Sequence, residues 1–66
     1  METQERMTEA LLLRIPDVAR ALGLGRSTVY ELVAGGEIPV VRIGRAVRVS
    51  RDALAQWVRR QELGRE

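Results

Sequence analysis

Residues 13–58, LRIPDVARALGLGRSTVYELVAGGEIPVVRIGRAVRVSRDALAQWV, read as helix, three-residue turn, helix, two short basic strands and helix. The first helix is expected from about Ile15 to Leu22. Ile15, Val18, Ala19 and Leu22 stand at i, i+3, i+4 and i+7 and form one apolar stripe. Pro16 is tolerated there because first-turn amides have no intrahelical partner. Asp17 suits the positive end of the helix dipole, and Gly23 is a stop. Leu24 reads as an apolar plug in the Gly23–Gly25 turn. The second helix begins near Gly25 or Arg26 and runs to Ala34. Val29, Leu32 and Val33 face inward, which leaves Ser27, Tyr30, Glu31 and Ala34 outward. Gly35 and Gly36 supply a left-handed stop. Two short helices joined by three residues form a helix-turn-helix.

Past Pro39, which marks a strand start, Val40–Ile43 and Val47–Val49 read as two strands. A two-residue turn at Gly44-Arg45 would set Val41 opposite Arg48 and mix the faces. A three-residue loop over 44–46 pairs Ile43 with Val47 and Val41 with Val49, and sets Arg42 opposite Arg48. That register separates an apolar face from a basic one, so the pattern predicts it. Like charges directly opposite are destabilising, a penalty that a polyanion lying across the face would reverse. Ser50 is a good N-cap for the last helix, with Asp52 in its first turn. Leu54, Trp57 and Val58 form its core face, with Trp57 expected at the centre of the core and fraying expected after Arg60. The fold class expected is mainly α with a small β-hairpin: a winged helix-turn-helix over residues 13–62. A flexible acidic arm, residues 1–12, precedes it, with Leu13 as anchor and disorder expected at the start; residues 63–66 form a tail.

A chain of 66 residues makes one domain with one small core. A domain of this size buries only about 60% of its unfolded surface and leaves no room for a large substrate pocket. There is no cysteine and no histidine, so disulfides, thiolate metal sites and the commonest neutral-pH general base are all missing. No apolar run approaches the ~20 residues of a membrane span. The start METQERMTEA lacks the basic and apolar regions of a signal peptide. A cytoplasmic protein with no cofactor, metal, membrane or small-molecule partner is the expectation. Asp17, Glu31, Glu37 and Asp52 have no spacing that groups them in a pocket. Tyr30 as a nucleophile would need a far larger scaffold, so an enzyme is not expected.

Charge is unevenly placed. Residues 1–12 carry Glu2, Glu5, Glu9 and Arg6, a net of −2, while residues 13–66 carry ten Arg against six acids, a net of +4. All eleven basic residues are Arg. A GC-rich genome would produce that bias, and so would selection for a guanidinium fork that matches phosphate and guanine edges. Between residues 40 and 51 stand Arg42, Arg45, Arg48 and Arg51 with no acid, a basic stripe of the kind that meets a polyanion. Charge placed on a strand edge only to block aggregation would favour mixed signs. In the second helix, Arg26, Ser27, Thr28 and Tyr30 form the candidate recognition surface. The free amides of a helix N-terminus suit a phosphate, Arg26 is long enough to reach a base, and Tyr30 can pack on a sugar–phosphate strand. Glu31 is the discordant member, suited at best to a cytosine amino group.

GLGRSTVYELVAGGEIPVVRIGRAVRVSRDALAQWV resembles the excisionase-type helix-turn-helix proteins, small winged helices related to the MerR-type DNA-binding domain. The resemblance rests on G-x-x-R-x-T-V-Y, G-G-E-I-P, V-R-I-G-R-x-V-R-V and S-R-D-A-L-x-x-W, and spans about 46 of 66 residues. It implies a major-groove helix carrying Arg26, Ser27, Thr28 and Tyr30, and a wing whose Arg42, Arg45 and Arg48 contact the neighbouring groove or backbone. Arg14 stands where a Ser or Thr N-cap is usual, Gly25 where Ser is usual, and Val47 where an aromatic is common. The family implies a bacterial or phage-encoded, nucleoid-associated recombination directionality factor. Such a protein binds double-stranded DNA in rows, bends it and steers an integrase toward excision. The alternative is a small winged-helix transcription regulator. MerR-type regulators dimerise through a long C-terminal coiled coil, and no heptads follow Val58. Self-association is therefore expected head to tail on DNA.

Overall fold

A computed structural model describes residues 10–64. Six elements follow in order: β1 (Leu12–Leu13), α1 (Ile15–Leu22), α2 (Arg26–Ala34), β2 (Val41–Ile43), β3 (Ala46–Ser50) and α3 (Arg51–Gly64). The fold is a winged helix-turn-helix. The start of the expected arm lies outside the described residues, but its last residue is in the sheet, because Leu12 pairs with Ser50. The expected tail likewise begins inside a helix, since α3 continues through Leu63 to Gly64 rather than fraying after Arg60.

Local chemistry sets the helix ends. Gly23 closes α1 at φ 70°, and the Leu24 amide donates to the Ala19 carbonyl at 3.0 Å. That pattern needs a left-handed residue, which glycine adopts without a Cβ penalty. At the end of α2 only Gly36 is left-handed, at φ 80°; Gly35 stays helical at φ −82°. One residue is enough, because the Glu37 amide then reaches the Leu32 carbonyl at 2.9 Å. Ser50 caps α3 as expected, its Oγ accepting from the Ala53 amide at 3.1 Å. Arg14 and Gly25 precede α1 and α2 in extended conformations with no side-chain cap.

The core is Ile15, Val18, Ala19, Val29, Ile38, Val49 and Leu54. Val18, Val29, Ile38 and Val49 are fully enclosed. Trp57 is not its centre; it packs against the cluster from the side, half-buried. Its large ring covers an edge of a core whose middle is too small to admit it. Ile38 fills the middle instead, from the loop between α2 and β2. Leu24 is partly exposed and is less a plug than a rim residue.

The sheet is antiparallel in the order β1-β3-β2. Its register corrects the sequence expectation. Val41 pairs with Arg48, Arg42 with Val47 and Ile43 with Ala46, so the turn is the two-residue Gly44-Arg45. Gly44 is left-handed at φ 59° and Arg45 is not. Glycine at the first central position with positive φ is what a type II′ hairpin turn requires, and its twist matches that of the strands. Turn geometry therefore outweighs separation of apolar from basic side chains. Residues directly opposite share a face, so Arg42 and Val47 lie on the Val49 side, toward the core. Val41, Ile43, Ala46 and Arg48 lie on the other. Arg42 and Arg48 are not directly opposite, so the penalty for a directly opposed like-charge pair does not arise.

Candidate nucleic-acid interface

Burial of Val29 fixes how α2 is turned, and Arg26, Ser27, Thr28, Tyr30 and Glu31 all remain exposed. The first turn of α2 contains no acid. Its amides and dipole therefore present positive potential next to the Arg26 guanidinium. Tyr30 is 56% exposed, with its ring available for packing.

The wing stands beside this helix. Between them lies a groove of about 540 Å³, whose walls include Tyr30 and Val33 of α2 and Arg42, Arg45 and Arg48 of the wing. Arg42 and Arg48 leave the hairpin from opposite faces, yet the twisted two-stranded ribbon brings both to this groove. Arg45 joins them from the turn. The Arg48 Nη1 donates to the Val47 carbonyl at 3.0 Å, which holds its guanidinium close to the strand. Arg14, at the start of α1, also lines the groove, making four arginines and no acid. Sequence reasoning marked Arg14 only as an unusual residue at a helix N-cap. The oddity was itself the signal. A cation at that position forgoes a cap worth about 1 kcal/mol, which makes sense if the charge is used elsewhere.

Four guanidinium groups without a counter-charge cannot form ion pairs among themselves. Each presents a planar fork of donors that fits phosphate oxygens two at a time. The apolar Val33 and the Tyr30 ring give the sugar edge of a strand something to rest on. Among the described residues no group of three or more His, Cys, Asp or Glu is placed to hold a metal ion. Arg51 is not part of this arrangement. It opens α3, its amide donates to the Leu11 carbonyl at 2.9 Å, and it lines a different groove. The candidate recognition residues Arg26, Ser27 and Thr28 lie outside the groove, on the adjoining end of α2.

Comparison with known proteins agrees with this architecture. Residues 12–62 match the family described as Helix-turn-helix domain. A probable excisionase of Saccharopolyspora erythraea is 46% identical over 55 residues, covering 83% of this chain and 56% of that protein. A Mycobacterium tuberculosis protein named as DNA-binding is 41% identical over 54 residues, covering 82% of this chain and 67% of its own length. An uncharacterized protein of Enterobacteria phage P4 is 36% identical over 62 residues, covering 91% of this chain and 70% of that protein. The chain thus spans a little over half the length of the excisionase relative. With the family matched across both helices, the wing and most of α3, the chain belongs to the helix-turn-helix domain family.

Proposed function

We propose that the chain is a sequence-specific double-stranded DNA-binding protein of the excisionase kind. Helix α2 enters the major groove and reads bases with Arg26, Ser27 and Thr28. The wing places Arg42, Arg45 and Arg48 on the adjacent backbone or minor groove, with Arg14 completing the clamp and Tyr30 packing on the strand between. The four-arginine groove between α2 and the wing carries this reading. It gathers four cations and no acid on one wall-lined channel, which suits a polyanion.

Magnitudes shape the rest. A single module of this size buries about 600–1,000 Å² on DNA. With four or five phosphate contacts, log K falls with log salt at a slope near −4, so one copy binds weakly at physiological salt. Cooperative, head-to-tail binding to repeated sites supplies the missing affinity, and a clamp on two faces of the duplex favours a bend. In the excisionase reading, the bent array directs an integrase toward excisive recombination. The chain acts by binding, with no chemistry of its own. A second reading, a small winged-helix transcription regulator, draws support from the mycobacterial relative, which is named for DNA binding alone.

Gel shifts on attachment-site and promoter duplexes across a salt series, with bend angles from fluorescence transfer between duplex ends, test both. The excisionase reading expects a ladder of bands whose bend grows with each added copy. One saturable band on a promoter palindrome favours the regulator. No salt-dependent shift on any duplex removes both.

A further inference from the structure

A second groove, of about 530 Å³, lies between α1 and α3 and shares no residue with the arginine groove. Leu13, Leu22, Leu54 and Val58 supply much of its apolar lining. Arg20, Arg51 and Arg59 stand on it with a single acid, Asp17, which pairs with Arg20. Two exposed leucines stand beyond its lining residues in the chain. Leu11 is 80% exposed where the chain approaches, and Leu63 is 74% exposed one helical turn beyond Arg59. We propose that this groove is a docking site whose occupant is the chain's own acidic segment, residues 1–9. The proposal is independent of the DNA-binding reading.

Three observations select that occupant. The first is position: the Leu11 carbonyl is held by the Arg51 amide, so the chain preceding residue 10 departs from the groove's own edge. The second is reach. From Arg51 to Leu63 is about 18 Å of helix, and nine residues span up to about 30 Å when extended. The third is chemistry. METQERMTE carries three glutamates against one arginine, opposite in sign to the groove's charged residues, and two methionines. Methionine side chains adapt to irregular apolar surfaces. Tethering favours this segment over a second copy, because a short link sets an effective concentration in the millimolar range. Any partner protein using this face has to displace it.

The chain has no cysteine, so Thr3→Cys places a single spin label on the segment. Paramagnetic broadening is then read on the full chain. The expected result is broadening at Leu54 and Val58 several-fold stronger than at Tyr30 and Val47, unchanged on dilution. Combined Glu2→Gln, Glu5→Gln and Glu9→Gln substitutions should remove most of it, as should Arg59→Glu. The glutamine variants precede the packed domain, so they keep the test valid if Arg59→Glu disturbs α3. Broadening centred on Tyr30 and Val47 would place the segment in the arginine groove and overturn the proposal. So would broadening that fades on dilution, which would assign the groove to a second copy, or no broadening at all.

Discussion

The core and the outer strand of the wing are built on opposite terms. Val18, Val29, Ile38 and Val49 are fully enclosed, and their identities answer to packing. All three residues of β2 are exposed, and Ile43 keeps 58% of its surface in solvent. β2 is held by strand pairing to β3 and by one glycine turn, so its side chains do little for the fold. Residues that do not answer to stability are free to answer to a partner. The difference teaches where to look for function in so small a protein: in the element whose side chains the core does not need.

Five substitutions can break or sharpen that contrast. The largest effect is expected from Ile38→Ala, which should cost about 2–5 kcal/mol of unfolding free energy. A domain of this size has little more to lose, so urea denaturation should show a chain partly unfolded without denaturant. A cost under about 1 kcal/mol would mean that the loop, not the core, holds Ile38. Next come the arginines. Arg48→Ala should weaken binding on every duplex and flatten the salt slope by about 1, while Arg26→Ala should relax base preference by about 1–3 kcal/mol at one position. Equal, sequence-independent losses would refute the split between wing and helix. Gly44→Ala is smaller. Apart from its chain neighbours, nothing lies within 4 Å of the added methyl, so the cost is the positive-φ backbone alone, about 1–2 kcal/mol. Thermal melts should show it, with a larger drop in DNA affinity if wing shape matters. Smallest is Arg14→Ser. Restoring a helix cap should raise stability by about 0.5–1 kcal/mol while lowering DNA affinity. A variant that gains stability and keeps its affinity would remove Arg14 from the clamp.

Much of the fold was legible because two helices announce themselves. Ile15, Val18, Ala19 and Leu22 fall on one stripe, and Gly23 and Gly36 end the helices as left-handed residues. Ser50 likewise capped α3 where its chemistry said it should. What escaped had no periodicity to show. Ile38 sits in a loop, so no stripe pointed to it, although it is among the most enclosed residues. The two-residue β1 is too short to alternate. Trp57 drew attention by its size, but a large ring covers the side of a small core more easily than it fills the middle. The register was misjudged because face separation was weighed above the turn, whereas Gly44 already specified a tight hairpin. In the candidate site, the wing arginines were visible as a charged run without acids. Arg14 was not, because its place in the groove depends on how α1 packs against the wing, and it is 28 positions from Arg42 in the chain.

The tight Gly44-Arg45 turn also limits how this protein can evolve. β3 cannot rotate, because Val49 is anchored in the core. A single inserted residue at the tip that kept the two-residue turn would therefore have to flip β2. Val41 and Ile43 would swing toward the helices, and Arg42 would come to lie directly opposite Arg48, where like charges destabilise a strand pair. Deletions and insertions at the tip are thus not neutral changes of length. Lineages in which the wing lengthens are expected to do so by two residues at a time, and an odd change should coincide with a reassigned set of arginines.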